Sequence, residues 1–302
     1  PNGCCFYAVN ELGQGQVSAF KVDSSNGSLH FLNSQPTDGS APCYLSFDPA
    51  GKWLLVSNYG NGTVAVFPIQ ADGSLGPHSD YVQHQGQGAD PMRQERAHAH
   101  SIRFDPSGQF VLAADLGLDE IIIYRFDTVH GKLLANEPAF GAMTGGAGPR
   151  HMAFHPSGRV LYVANELNNT VTACAWDAAR GAITPFQSLS TLPDDFQGQS
   201  AVADIHLDLS GKYLYVSNRG HHSLAVYQVA ADGHLTANGH VSSGGEWPRN
   251  FALMPQGERL LVANERSSNL VMFVIDANGM PQTTGLVIPA PQPVCVLPAV
   301  FE

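Results

Sequence analysis

Ionisable side chains occur at two recurring positions of this sequence, each defined by its distance from a local marker. His100, Arg150 and Arg249 each stand six residues before a turn proline, and Glu166 and Arg219 directly follow a closing asparagine. Histidine or glutamate can take a proton from water, and arginine can stabilise an oxyanion or bind an anion. If the fold brings these positions together, they predict a site for acid-base chemistry in an anion pocket.

The segments that carry these residues are copies of one repeat. A single register aligns DPAGKWLLVSN (48–58), DPSGQFVLAAD (105–115), HPSGRVLYVAN (155–165), DLSGKYLYVSN (208–218) and MPQGERLLVAN (254–264), and Gly3 with Asn10 adds a sixth copy. A glycine precedes the closing Asn or Asp by seven residues in each copy, and successive glycines are 48, 57, 50, 53 and 46 residues apart. This spacing is typical of β-propeller blades, which repeat every 40 to 50 residues or so.

Each repeat predicts four antiparallel strands, because short runs rich in β-branched and aromatic residues alternate with turn residues. The start of the first strand and the end of the second share one sheet edge, so we expect the two ionisable positions to converge around a central channel. The scaffold glycine is uniform, whereas these positions vary from repeat to repeat, as expected of a site built on a symmetric frame. In the remaining repeats they hold Cys43, Ala203 with Asp204 and His206 after it, Glu11, Tyr59, Leu116 and Glu265.

Composition limits the class of protein. The 302 residues are 43% hydrophobic, which is enough for a large core, and we expect one all-β domain over residues 1–302. The formal net charge of -11 and a charged fraction of 14% argue against nucleic acid or anionic membranes as partners. Five cysteines without a CxxC pair favour reduced thiols and a cytoplasmic location, although the chain begins at Pro1 and a preceding segment could hold a signal peptide.

Some of these residues also have a purely structural interpretation. The closing Asn and Asp side chains are expected to bond turn backbone, and His155, which replaces a turn aspartate, is expected to do the same. Glu166 and Arg219 could form only an ion pair at the mouth of the channel. Both interpretations stay open at the level of the sequence.

Two further motifs suggest ligands less strongly. His98 and His100 lie on one face of a strand and could bind a metal, but no third ligand is equally placed, so we expect neither a metal nor a cofactor. Gly145-Gly146-Ala147-Gly148 lacks both the lysine and the following helix of a phosphate-binding loop. We expect it to be a flexible loop that brings Arg150 into place.

Four longer motifs resemble the lactonase family of seven-bladed β-propellers. They are AHAHSIRFDPSGQFVLAADLGLDEI (97–121), GAGPRHMAFHPSGRVLYVANELNNTV (146–171), ADIHLDLSGKYLYVSNRGHHSLAVY (203–227) and EWPRNFALMPQGERLLVANERSSN (246–269). The resemblance implies four-stranded antiparallel blades and about one further blade before Pro1. The chain would then supply blades two to seven and end, over residues 294–300, on a first strand of the closing blade.

The resemblance also implies a metal-independent site whose catalytic residues fall on His100, Arg150, Glu166 and Arg219. These are residues that the repeat positions select independently. We expect the substrate to be bound by a second group of residues, in which His98 and Asp115 would tune the choice of ligand. This group comprises His98, Asp115, His151, Asp204, His206 and Arg249.

The expected activity is hydrolysis of a sugar δ-lactone, above all 6-phosphoglucono-1,5-lactone, by a water that Glu166 or His100 activates. The partner would be this small molecule alone, and the protein a monomer or weak homodimer. Three alternatives remain: a muconate-type lactone cyclase, a metal-dependent hydrolase using His98 and His100, and a non-catalytic propeller that binds a partner across its face. The last predicts an exposed apolar patch near the channel instead of charged groups.

Overall fold

Residues 4–299, the part of the chain that the computed structural model describes, form 23 β-strands in six antiparallel sheets. Every sheet is a meander, so strands that follow each other in the chain are hydrogen-bonded neighbours. Five sheets have four strands and the first has three, which confirms the predicted four-stranded blade. The described residues thus give six blades, and the expected further blade before Pro1 stays a prediction.

The chain divides into two compact units. Within the described residues, unit 1 is 4–149 with 177–183, and unit 2 is 150–176 with 184–299. The expectation of one domain over 1–302 therefore stays a prediction.

Unit 1 contains three sheets. Their strands are β1 (Cys5–Asn10), β2 (Gln16–Val22) and β3 (Leu29–Pro36); β4 (Pro42–Phe47), β5 (Trp53–Asn58), β6 (Thr63–Pro68) and β7 (Asp80–Gln83); and β8 (Ala99–Phe104), β9 (Phe110–Asp115), β10 (Glu120–Asp127) and β11 (Lys132–Ala142).

The other three sheets lie mainly in unit 2. Their strands are β12 (Pro149–Phe154), β13 (Val160–Asn165), β14 (Thr170–Asp177) and β15 (Ala182–Ser190); β16 (Ala201–Leu207), β17 (Tyr213–Arg219), β18 (Ser223–Val229) and β19 (Leu235–Ser242); and β20 (Pro248–Leu253), β21 (Arg259–Asn264), β22 (Asn269–Ile275) and β23 (Pro281–Pro289).

The apolar core is divided among layers between neighbouring sheets. Side chains alternate along β17, so Leu214 and Val216 pack in one layer with β13 residues, while Tyr215 packs in the next layer with Phe251 and Phe273. A strand buried on both faces needs apolar residues at successive positions. This explains why the middle of each repeat is an unbroken apolar run and not an alternating one.

A tyrosine in three of these repeats ties one sheet to a turn of the next. The Tyr162 hydroxyl donates to the Gly233 carbonyl at 2.8 Å, and Tyr215 donates to Gly279 at 2.9 Å. In unit 1, Tyr7 donates to Gly73 at 2.7 Å. Each acceptor lies in the turn between the third and fourth strands, at the edge opposite the predicted site.

The repeated glycine is explained by the turn between the first two strands. Gly108 has a φ of 71°, and a Cβ there would lie 2.8 Å from Cγ of Pro49. The turn aspartate accepts the amides that follow, as Asp105 Oδ1 does from Gln109 and Phe110. His155 contacts Ser157 through Nδ1 in the same place, so it serves the turn as expected.

The expected strand over residues 294–300 is not seen in residues 294–299, and Val300 lies outside the described residues. A strand requires a hydrogen-bonded neighbour, and here the Val296 amide instead donates to Oδ1 of Asn250 at 2.7 Å. Residues 4–299 contain no helix that could cross a membrane.

Candidate functional site

The two sequence positions meet at one sheet edge, as predicted. Ala201 at the start of β16 pairs with Arg219 at the end of β17, and Pro248 at the start of β20 pairs with Asn264 at the end of β21. Beside these pairs the register shifts, between Val202 and Ile205 and between Pro248 and Asn250. Each shift is a β-bulge, which re-aims side chains at the end of a strand.

Residues of the first position sit within these bulges. In unit 2, Arg249 lies inside one shift, and Ala203 lies inside another with Asp204 after it. In unit 1, Cys43 and His100 lie inside equivalent shifts. Sequence reasoning missed the bulges, because no residue type marks them. They explain why this position can vary freely: its residues are not needed to continue the hydrogen-bonded ladder.

Glu166, Arg150 and Arg219 form a buried cluster in unit 2. Oε2 of Glu166 lies 3.0 Å from Nε of Arg150 and 2.6 Å from Nη2 of Arg219, and each of the three side chains is less than a tenth exposed. The two guanidiniums are also anchored on backbone, since Arg150 donates to the Ala203 carbonyl at 2.6 Å and Arg219 to that of Val202 at 2.9 Å. Both ends of the cluster are therefore fixed before a ligand binds.

The charge state of the cluster follows from its surroundings. Burial and the charge of nearby Arg219 lower the pKa of Arg150 to about 10, so Arg150 stays protonated at neutral pH. Nε of Arg150 forms an ion pair with Glu166, but the contact does not have hydrogen-bond geometry. A ligand oxygen that accepted this N–H in better alignment would be favoured.

Asp204 organises the next layer of the site. Its carboxylate lies 2.8 Å from Nδ1 of His151 and 3.0 Å from Nε2 of His206, and it also accepts from the Asn250 amide. Burial alone would raise the pKa of Asp204, but the His206 charge and the hydrogen bonds from both histidines hold it well below its usual range. Asp204 is therefore an ionised carboxylate that joins His151, His206 and Asn250, and we call it the hub.

His151 connects this hub to the cluster. With Nδ1–H donated to Asp204, its Nε2 accepts a hydrogen bond from Nη1 of Arg150 at 3.2 Å. The side chain is buried, whereas His206 is about 40% exposed and packs edge-on against Phe251. His151 thus orients Arg150 from within the fold, and His206 is the member of this layer that a ligand can reach.

His151 should make the fold sensitive to acid. Burial and the Arg150 charge lower the pKa of His151 to about 4, against an ordinary value near 6.5. Between these values the unfolded chain binds a proton that the folded chain does not. The free energy of unfolding should therefore fall by about 3 kcal/mol as the pH drops through this window.

Urea unfolding at a series of pH values measures this slope. The His151→Gln variant, which keeps a donor for Asp204, should show a shallower slope between pH 6.5 and pH 4. Equal slopes in the two proteins would contradict the assignment.

Three predicted residues, His98, His100 and Asp115, lie in unit 1. Asp115 is fully buried and accepts the backbone amides of His98 and Gly117, and its second oxygen lies 2.6 Å from Nδ1 of His84. Its oxygens are thus engaged within the fold, which suits a positioning role. The prediction that Asp115 binds substrate stays a prediction.

The two histidines differ in their contacts. Nδ1 of His98 lies 2.8 Å from the Tyr59 carbonyl, so Nδ1 carries the ring proton and donates it to that oxygen. The rings of His98 and Tyr59 stack with their centroids 4.5 Å apart. His100 is nearly buried and contacts the Tyr59 ring edge-on. In the described part of the chain, no group of three or more His, Cys, Asp or Glu side chains could hold a metal ion.

Sequence reasoning missed the partners of Asp115. Nε2 of His84 lies 2.9 Å from the Tyr124 hydroxyl, which completes a buried chain of Tyr124, His84 and Asp115. His84 lies between Gly51 and Gly108, the most widely spaced pair of repeat glycines, and this long insertion was the available signal.

The glycine loop before Arg150 is held in place and is not the flexible segment that we expected. The two oxygens of the buried Asp119 accept the amides of Gly146 and Gly148, at 2.7 Å and 2.8 Å. A carboxylate that accepts two backbone amides fixes a loop that its glycines would otherwise leave free.

The comparisons with known proteins agree with these blades and motifs. The family model described as lactonase, 7-bladed beta-propeller matches residues 1–298. The chain is 39% identical over 298 residues to a 6-phosphogluconolactonase of Bacillus subtilis, covering 98% of this chain and 84% of the relative. It is 34% identical to a 6-phosphogluconolactonase of Formosa agariphila, covering 90% and 78%.

A solved structure extends the likeness to the fold. The periplasmic gluconolactonase of Pseudomonas aeruginosa superposes with a TM-score of 0.95 at 32% identity, covering all of this chain and 87% of that one. The six sheets described above are blades of the propeller that the family model names. The chain belongs to the lactonase family of seven-bladed β-propellers.

Proposed function

We propose that the protein hydrolyses sugar δ-lactones, with 6-phosphoglucono-1,5-lactone as the preferred substrate. The observation that carries the proposal is the buried carboxylate of Glu166, held between Arg150 and Arg219. The names of the relatives support it, since two of them are 6-phosphogluconolactonases and a third is a gluconolactonase. We further propose that the activity is metal-independent and cytoplasmic.

The reaction needs a base and a site for negative charge. The oxygen of a water attacks the lactone carbonyl, and its proton passes to Glu166, or to His100 in the alternative that the sequence leaves open. The carbonyl oxygen becomes an oxyanion, which the guanidinium of Arg150 would stabilise. The ring C–O bond then breaks, and the ring oxygen takes a proton to become the hydroxyl of the open acid.

Binding residues surround this centre. Arg219 holds the base through Glu166 Oε2, while the partly exposed His206 and Arg249 would contact the sugar and its substituents. A lactone is an activated ester, so moderate electrostatic stabilisation suffices. The mechanism requires no serine nucleophile.

The decisive measurement is hydrolysis of 6-phosphoglucono-1,5-lactone and of glucono-1,5-lactone above their spontaneous rates, with and without a chelator. We expect clear turnover that the chelator leaves unchanged and that Arg150→Ala reduces strongly. The proposal fails if neither lactone is hydrolysed faster than in buffer. A clean preference for an unphosphorylated dicarboxylic lactone would instead indicate a muconate-type cyclase.

A further inference from the structure

Trp247, just before β20, has an unusual backbone that the structure holds in place. Its φ is 68°, a conformation that bulky residues rarely adopt. Its amide donates to Nδ1 of His222 at 3.0 Å, and its carbonyl accepts the Glu265 amide at 3.0 Å. Strain that is maintained in this way often marks a functional position, and here it fixes where the indole lies.

The indole contacts two guanidiniums. Cζ of Arg219 lies 5.6 Å from its ring centroid and Cζ of Arg266 lies 3.4 Å from it. Arg219 belongs to the buried cluster with Glu166, whereas Arg266 is exposed. Trp247 therefore links the proposed catalytic cluster to a surface cation.

Stacking leaves Arg266 well suited to bind an anion. A guanidinium that lies over an aromatic ring is held by cation–π attraction, and its N–H donors stay in its own plane, where two of them can meet a phosphate. Within residues 4–299, the Arg266 side chain forms no ion pair. The Arg266 guanidinium is thus held in one orientation, and its charge is not neutralised by an ion pair within the described residues.

The other arginines of this edge already face carboxylates. Arg150 and Arg219 share Glu166, and Nη1 of Arg249 lies 3.7 Å from Oε2 of Glu265. Much of the positive charge that the sequence assigned to an anion pocket is therefore matched internally. Arg266 supplies a positive charge that no carboxylate of the described residues matches. It follows the second repeat position and was not selected from the sequence.

We propose that Arg266, stacked on Trp247, binds the phosphate of a phosphorylated lactone and so selects it over the unphosphorylated lactone. This inference rests on the proposed function and names the determinant of its substrate class. The Cζ atoms of Arg219 and Arg266 lie 5.6 Å and 3.4 Å from the centroid of the same Trp247 ring. The two Cζ atoms are therefore at most about 9 Å apart. A six-carbon lactone bearing a terminal phosphate can span that distance, with its carbonyl at the cluster and its phosphate at Arg266.

The test compares kcat/KM for 6-phosphoglucono-1,5-lactone and glucono-1,5-lactone in the wild type and in Arg266→Gln. We expect the ratio of the two values to fall by about 10- to 100-fold, mainly through a higher KM for the phosphorylated substrate. Values for glucono-1,5-lactone should stay within about twofold. Arg159→Gln, another exposed arginine, lies at the turn edge of its sheet and should leave the ratio unchanged.

Calorimetric binding of 6-phosphogluconate and gluconate gives a readout that does not require turnover. Arg266→Gln should weaken the binding of 6-phosphogluconate and leave the binding of gluconate unchanged. An unchanged ratio and unchanged binding in Arg266→Gln would overturn the inference, as would an equal loss for both substrates or the same loss in Arg159→Gln. Failure of the proposed function is distinct, because the wild type would then hydrolyse neither lactone.

Discussion

Replacing Glu166 by glutamine is expected to lower kcat for lactone hydrolysis by about 10²- to 10⁴-fold. The amide keeps the size of the side chain but cannot take a proton from water, and it leaves Arg150 and Arg219 without their shared countercharge. Steady-state kinetics on both gluconolactones measure the effect. KM should change less than kcat if the carboxylate acts mainly in the transition state.

Glu265→Gln is the matched control for this variant. Glu265 occupies the same repeat position in the last described sheet, where its carboxylate lies 3.7 Å from Arg249 and is more exposed than that of Glu166. Its loss should reduce kcat by much less than the loss of Glu166. A Glu166→Gln protein that is folded by circular dichroism and retains a third or more of wild-type kcat would exclude Glu166 as the base.

Replacing Asp204 by alanine should destabilise the fold by about 3–5 kcal/mol, because buried polar groups would lose the charge that they bond. His151, His206 and Asn250 all contact this carboxylate, and the Ile205 and Phe251 amides donate to it as well. In a protein of this size we expect the thermal midpoint to drop by roughly 10 °C.

Thermal unfolding followed by circular dichroism measures this loss. Asp232→Ala is the control, since Asp232 is exposed and contacts only surface groups in the described structure, so its loss should cost less than about 0.5 kcal/mol. Equal midpoints for the wild type and Asp204→Ala would show that the hub does not hold the site together.

The sequence predicted the sheets and the edge of the site because both follow from periodicity. Unbroken apolar runs require strands buried on both faces, and a glycine at fixed spacing requires the same turn in each blade. Antiparallel pairing then places Arg150, Glu166 and Arg219 at one edge without further information. Their direct contact agrees with the expected convergence of these positions, and their catalytic roles stay a prediction.

Features that depend on side-chain geometry could not be read in the same way. The bulges carry no characteristic residue, and the meeting of His151, His206 and Asn250 at Asp204 depends on how neighbouring sheets pack. Arg266 was overlooked because it lies one residue beyond the repeat position. The stacking of Arg266 on Trp247 is seen only in the positions of the two side chains.

The tyrosine-to-glycine links at the turn edge have a consequence for changing the specificity of this protein. Tyr162 and Tyr215 each join one sheet to the next at the edge opposite the bulged ends of the first strands, so these two links lie apart from the groups that would meet a ligand. A combinatorial library confined to the bulged edge would leave these links intact. If the library also keeps Asp204, which bonds groups from neighbouring sheets, such a scaffold can acquire new substrates with little loss of stability, which is a physical basis for its evolvability.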